Sequence, residues 1–354
     1  MNFLFLMNNT GTCAWRVFPI KEELEKDGHN VVAINVELFT NEQMDAMIEF
    51  ADVLTLQMVT AKYLVKRAKE KGIFVTFDCD DYIDKVPPKH PYFKKTQDKS
   101  YQSLFRWTMK NVDLMTVSNE RLYNVYSKFA KNIMITPNYL PDKFWEKPLN
   151  VSKSPKIRIG WAGGVSHQED LDFISPIITE IVNSRDDIKF VYTGGGGWNN
   201  GMPNSMMRFN EDQFPDIPYS KKEYNAGSRI ELWPDRLNSM QLDVALAPLD
   251  ENEFSVCKTH IKYFEYAINH WPGVYQEFLY KDVVRHGETG FLATTSAEWS
   301  HYINILLNDP QLRKEMGERA YRDVKNNYTF DRNKGVWREA YRLTIEGSTK
   351  HRAK

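Results

Sequence analysis

Residues 243 to 268 read DVALAPLDENEFSVCKTHIKYFEYAI, and within them Lys258, Lys262 and Glu265 stand four and three positions apart. On a helix that spacing lines two cations and one carboxylate along a single face. The run DVALAPLD is apolar enough for a buried strand, so the charged face would stand beyond a strand's carboxyl end. Two cations suit a diphosphate and a carboxylate suits a ribose diol, which are the polar parts of a nucleotide sugar. Lys258 and Thr259 fall at the expected helix start, where free N–H groups and the dipole favour a phosphate, so Lys258, Thr259 and Lys262 are the diphosphate candidates. The opposite stripe, Cys257, Ile261, Phe264 and Ile268, is apolar and is expected to pack on the sheet. An ordinary solvated face with a Lys–Glu pair has the same spacing, and that reading stays open.

Three other segments carry candidate chemistry. In IGWAGGVSHQEDL a strand runs into Gly163 and Gly164, where the missing Cβ lets the backbone approach a ligand, and Ser166, His167 and Asp170 open the next helix. A lone histidine there is equally a surface residue beside a helix cap, so His167 has two readings. In NNTGTCAWR, Gly11 permits close approach and Arg16 could grip phosphates bidentately. The bland alternative, a surface cation at a helix start, is one the dipole disfavours. TFDCDDY ends in Asp78, Asp80 and Asp81, acids that repel one another unless a cation, hydrogen-bond donors or substrate hydroxyls meet them. Asp80 and Asp81 are assigned to acceptor or sugar hydroxyls, with a structural turn as the alternative. TGGGGWNNG, with Gly194 to Gly197 and Trp198, does not match GxGxxG; four glycines suit a flexible connector, and Trp198 has two readings, a ring that stacks on a base or a core residue.

These segments need a scaffold, and the chain supplies a β-α-β rhythm. NFLFLM, NVVAINV, DVLTLQM, IFVTFDCD, DLMTVSN and NIMITPN alternate with amphipathic runs, which predicts a parallel, helix-covered sheet over residues 1 to 148. PDKFWEKPLNVSKSP, residues 141 to 155, carries three prolines and no clear period and is assigned as a linker. A second series follows through residue 330, with KIRIGWAGG, IKFVYTGGGG and DVALAPL as strands. FDRNKGVWREAYRLTIEG is expected to form a helix with Val336, Trp337, Tyr341 and Leu343 available for packing, ending in a frayed basic tail, STKHRAK. The fold class is therefore α/β, two Rossmann-like doubly wound domains facing a central cleft, with ligands at the strands' carboxyl ends.

A chain of 354 residues is long enough for two domains. Lys+Arg of 46 against Asp+Glu of 47 leaves a formal charge of −1, so no global field points to nucleic acid or anionic membrane. Cys13, Cys79 and Cys257 are odd in number and lack CxxC spacing, which suits a reducing, cytoplasmic setting and indicates neither disulfides nor zinc. No apolar stretch of about 18 residues is present to span a bilayer. There is no visible Ser-His-Asp set for hydrolysis.

Taken together, IGWAGGVSHQEDL, DVALAPLDENEFSVCKTHIKYFEYA, HGETGFL and LLNDPQLRKEMGERAYRDVKNNYTFDR resemble the GT-B glycosyltransferases, especially the retaining family 4 (group 1) type. TFDCDDYIDKVPPKHP and VSNERLYNVYSKF followed by ITPNYL look like members of the same group. The resemblance implies a nucleotide-sugar donor, by default a UDP-sugar, held by the second domain and an acceptor held by the first. Glu265 matches the last glutamate of the Glu-x7-Glu motif, which accepts from ribose hydroxyls; the partner position is Cys257, a departure that removes one carboxylate. The resemblance places the Gly163–Gly164 loop under the donor, with His167 as a contact, and the Gly11 loop near donor and acceptor. It further implies front-face transfer with retention, a C-terminal helix that crosses back to form a hinge, and no cofactor or essential metal. The acceptor is left among glycans, surface polysaccharides, lipids and hydroxymethylated bases of phage DNA; for DNA, Arg106, Lys110, Arg121, Lys128 and Lys131 are candidate phosphate contacts. Two other readings remain: a nucleotide-sugar epimerase, and a non-catalytic glycan- or nucleotide-binding protein that kept the fold.

Overall fold

The computed structural model describes residues 1–7, 11–151, 154–164, 166–194 and 212–352. β1 (Asn2–Met7), β2 (Asn30–Asn35), β3 (Val53–Gln57), β4 (Phe74–Cys79), β5 (Leu114–Val117) and β6 (Ile133–Ile135) form one sheet in the order β2-β1-β3-β4-β5-β6. β7 (Ile157–Gly163), β8 (Ile188–Gly194), β9 (Lys222–Ala226), β10 (Val244–Ala247), β11 (Gly273–Gln276) and β12 (Phe291–Ala293) form a second, ordered β12-β11-β10-β7-β8-β9. Every pairing within the two sheets is parallel. Helices cover both faces, so the strands are apolar on both sides; β3 and β4, for example, are buried along their whole lengths. The strand order reverses between β1 and β3 and between β7 and β10, and at such points the diverging loops leave a crevice.

The segment assigned as a linker is structured. Asp142–Trp145 is a short helix, and Trp145 is 1% exposed, 5.2 Å from Trp15 of the first domain. Trp15 in turn lies 6.2 Å from Phe264 of the second, so a run of tilted aromatic rings joins the domains. Leu140 and Thr329 form a parallel bridge, through the Leu140 N–H to the Tyr328 carbonyl and the Phe330 N–H to the Leu140 carbonyl. The two chain crossings between domains are thus bonded to each other.

The helix Gly335–Arg352 crosses back onto β3 and β4. Trp337 and Tyr341 pack as expected, but Val336 and Leu343 face solvent at 42% and 38% exposure. Trp337 Nε1 donates to the Pro137 carbonyl at 2.9 Å, and Ser348 Oγ donates to the Asp52 carbonyl at 2.9 Å. The expected frayed tail is instead helical through Arg352, held by that bond and by close packing of Gly347 on Phe74, where a Cβ would come within 2.2 Å of the ring. Trp337→Ala should lower stability by about 3–5 kcal/mol, the usual cost of deleting a buried Trp; denaturant unfolding measures it, and a loss under about 1 kcal/mol would show that this helix does not anchor the first domain.

Candidate functional site

Between the carboxyl ends of the two sheets lies a cleft of about 690 Å³. Gly11, Asp80, Asp81, Gly163, Gly164, His167, Lys258, Thr259, Lys262 and Glu265 all line it. Residues from both domains and from both strand-reversal points therefore meet in one space.

The second-domain wall is built at the β7/β10 crevice. The helix begins at Ile261, so Lys258 is not on it: Lys258 is extended, with ψ 171°, at the end of a 3₁₀ turn, Ser255–Cys257. The expected single charged helix face is thus divided between a loop and a helix, which still bring Lys258, Lys262 and Glu265 to the same cleft. Cys257 departs further from expectation. It does not pack on the second sheet but into the first domain's core beside Leu122 and Tyr126, and its backbone carbonyl accepts from Asn119 Nδ2 at 2.7 Å. Burial pushes its thiol up to about 11, so it supplies no carboxylate-like charge.

Lys262 is 8% exposed; its Nζ donates to the Ala162 carbonyl at 2.6 Å and lies 5.1 Å over the Trp161 ring. Gly163 makes room for it, since a Cβ there would stand 2.8 Å from that ammonium and 2.5 Å from Trp161. At Gly164 a Cβ would meet nothing within 4 Å. Glu265 is 5% exposed and accepts from Trp233 Nε1 at 3.1 Å. Burial, first of all, pulls the Lys262 ammonium below the lysine range and pushes the Glu265 carboxyl above the carboxylate range; the two charges favour each other in return. Trp233, which the sequence reading missed, had no visible signal because it lies 32 residues from its partner.

His167 is also at this wall. Its Nδ1 stands 2.5 Å from Asp170 Oδ2, and its ring meets Trp161 edge-on at 5.9 Å. Burial first, then Lys262, Lys258 and His90, pull the imidazole well below its usual range, with Asp81 pulling the other way. Of the TGGGG run, Gly194 lines the cleft, and Gly195 to Gly197 with Trp198 lie outside the described residues.

The first-domain wall corrects the expectation for Arg16. Arg16 is 2% exposed and does not line the cleft. It donates to both Asp78 carboxylate oxygens at 3.1 and 2.5 Å, to Thr136 Oγ1 at 2.8 Å, to the Thr136 carbonyl and to Asn138 Oδ1 at 3.1 Å, beneath the Trp337 ring at 4.6 Å. A guanidinium has five N–H donors, and these five acceptors leave none for a phosphate. Asn138 Nδ2 then donates to Thr259 Oγ1 at 3.0 Å, tying this buried network to the opposite wall.

Asp78 is thereby neutralised by Arg16, while Asp81 faces Lys258 at 3.9 Å. Asp80 has neither partner at contact distance among the described ion pairs and is 6% exposed. Two of the lysines and arginines considered for DNA are engaged within the chain: Arg106 pairs with Asp84 at 2.7 Å, and Arg121 donates to the Val256 carbonyl. Among the described residues no three His, Cys, Asp or Glu side chains are arranged around a common metal position, and no helix is long and apolar enough to cross a membrane.

Comparison with known proteins places this geometry. No family model matches the chain. Sucrose-phosphate synthase from Thermosynechococcus elongatus superposes with a TM-score of 0.71 at 11% identity, covering 98% of this chain and 100% of that one. Anabaena HepE, solved in complex with UDP-glucose, superposes at 0.66 with 12% identity over 98% and 100%. This is the GT-B fold of glycosyltransferases. In sequence, a Dictyostelium discoideum GDP-Man:Man(3)GlcNAc(2)-PP-Dol alpha-1,2-mannosyltransferase is 22% identical over 262 residues, 60% of this chain. The chain spans about half the length of that relative, 49%. In GT-B terms the Lys258–Glu265 wall belongs to the C-terminal domain and the Asp80–Asp81 wall to the N-terminal one.

Asp80 provides a test of the wall's electrostatics. Burial first, then Asp81, push its carboxyl from 3.8 to about 7, with Arg16 pulling the other way. An acid raised in the folded state contributes stability below its unfolded pKa and loses it as the pH rises through its folded one, here from about pH 4 to about pH 7. Asp80→Asn, with no charge to form, should therefore gain on the native chain in going from pH 4.5 to pH 8. Thermal unfolding at both pH values measures this, and an equal difference at the two would refute a buried ionisation at Asp80.

Proposed function

We propose that the chain is a glycosyltransferase of the group 1 type that moves a sugar from a nucleotide-sugar donor to an acceptor hydroxyl. The observation that carries the proposal is the convergence of Lys258, Thr259, Lys262 and Glu265 with the Gly163–Gly164 turn at the second sheet's strand-reversal point. Lys258 and Lys262 would neutralise the diphosphate as negative charge builds on it in the transition state. Glu265, oriented by Trp233, would accept from the ribose hydroxyls, and the Gly163–Gly164 backbone would lie against the phosphates or the sugar. Transfer with retention needs no protein nucleophile, since the departing phosphate can take the acceptor's proton. Two cations at the diphosphate make a divalent ion unnecessary, so we propose transfer without metal or cofactor. HepE's complex with UDP-glucose supports testing UDP-glucose first, and the mannosyltransferase relative supports GDP-mannose second.

For the acceptor we propose a neutral glycan. The first-domain wall carries Tyr92 and Tyr101, faces on which sugar rings stack, together with the carboxylates of Glu37, Asp80 and Asp81, which accept from hydroxyls. The Glu37 and Asp81 carboxylates oppose a polyanion such as DNA, and Arg106 and Arg121 are spent elsewhere. The departure at Cys257 is the feature that supports a non-catalytic protein; measurable transfer or donor hydrolysis would exclude that reading.

The deciding experiment is a thermal-shift and turnover screen against nucleotide sugars with and without EDTA. One donor should stabilise the chain and be consumed, equally in EDTA; no response to any donor would reject the transferase reading. Glu265→Ala should abolish or sharply weaken donor binding. Gly163→Ala should weaken it more than Gly164→Ala, because only the former displaces the Lys262 ammonium; calorimetry with UDP showing equal effects would remove Lys262 from the diphosphate site.

A further inference from the structure

His167 and Asp170 form a pair whose second carboxylate oxygen is also committed. Asp170 Oδ2 is 2.5 Å from His167 Nδ1, and Asp170 Oδ1 accepts the backbone N–H of Asp250 at 2.8 Å. Asp250 follows β10 and starts the loop that leads to Lys258, so the carboxylate bridges the two loops of the crevice. Asp170 is 4% exposed and His167 lines the cleft. Burial pushes the Asp170 carboxyl up to about 6, which still leaves it ionised at pH 7.5; an ionised carboxylate only accepts, so with Oδ1 taken by a backbone N–H the contact at Oδ2 calls for a proton on Nδ1. A neutral imidazole with its proton on Nδ1 carries a lone pair on Nε2. Lys258 and Lys262 stand on the same wall and oppose a second proton on the ring.

We propose that Asp170 is a positioning residue that locks His167 in the Nδ1–H form, so that Nε2 faces the cleft as a hydrogen-bond acceptor for a hydroxyl of the donor sugar. This rests on the nucleotide-sugar reading of the cleft. The wall would then divide its labour. Lys258 and Lys262 hold the diphosphate, Glu265 holds the ribose, and His167 orients the sugar by accepting a hydroxyl proton without removing it.

Asp170→Asn isolates the effect. The Asp250 N–H still requires an oxygen, so the asparagine amide nitrogen must turn to His167 and donate to Nδ1. The ring proton then moves to Nε2, and the cleft is offered a donor in place of an acceptor. Nitrogen-15 spectra of the full chain with labelled histidine, assigned against His167→Gln, read the tautomer directly. The native chain should show Nδ1 protonated at pH 7.5, and Asp170→Asn should show Nε2 protonated. In the turnover assay Asp170→Asn should lose on the order of 100-fold in kcat, with UDP affinity within about twofold of the native chain. His167→Gln, whose amide oxygen can accept from the same hydroxyl, should retain more turnover than His167→Ala.

Protonated Nε2 or an imidazolium in the native chain would overturn the lock. Native turnover in Asp170→Asn despite a switched tautomer would overturn the acceptor role. If Asp170→Asn does not fold, equal loss in His167→Gln and His167→Ala overturns that role instead. If the native chain turns over no nucleotide sugar, the transferase reading fails by itself, and the spectra still decide the tautomer.

Discussion

A buried ammonium sets the terms for the C-terminal half. Lys262 is held against the end of β7 by the Ala162 carbonyl and the Trp161 face. Removing a charge from water costs several kcal/mol unless partners replace the solvent. Much of the neighbouring structure follows from that requirement. Position 163 must lack a Cβ, and Glu265 must be near enough to balance the charge. Trp233 then closes on Glu265. One carbonyl and one carboxylate only partly satisfy an ammonium and its partner, which leaves the site an unmet demand for negative charge and for hydroxyl donors. A diphosphate attached to a ribose has both.

The opposite half solves a similar problem differently. Arg16 and Asp78 are a fully bonded buried pair, sealed by Trp337 from the last helix. Breaking such a pair costs far more than forming it gains, so its value is in fixing geometry. It holds Asn138, Asn138 holds Thr259, and the two domains are registered at the cleft by a hydrogen bond that begins in a core. The Trp145–Trp15–Phe264 ring contacts and the Leu140–Thr329 bridge do the same from the hinge side. The cleft is therefore framed by contacts on both flanks, while the loop bearing Lys85 and Lys89 adds exposed ion pairs to Glu253 and Asp172 across it. Exposed pairs of that kind are weak and can break when a cleft opens.

Much of this was legible in the chain itself. The β-α-β rhythm follows from apolar runs that must be buried on both faces, and it specified two parallel sheets. The glycine pairs and charged spacings beyond strand ends marked the cleft residues because a strand's carboxyl end is where a doubly wound fold opens. Local spacing could not show that Lys258 leaves the helix axis, because the 3₁₀ turn before it is fixed by Cys257 and Val256 packing into the other domain. It could not show that Arg16 is consumed by Asp78, Thr136 and Asn138, residues 62 to 122 positions away.

The sequence by itself determined the α/β architecture, the two-sheet division and which side chains have the chemistry to meet a phosphorylated ligand. Periodicity and residue type are local properties and survive without a partner. Only the tertiary structure decided which of those side chains are spent and which are offered: Arg16 inward, Lys262 toward the cleft, His167 locked by Asp170. Hydrogen-bond donors and acceptors are finite, and their allocation depends on what the fold brings within about 3 Å.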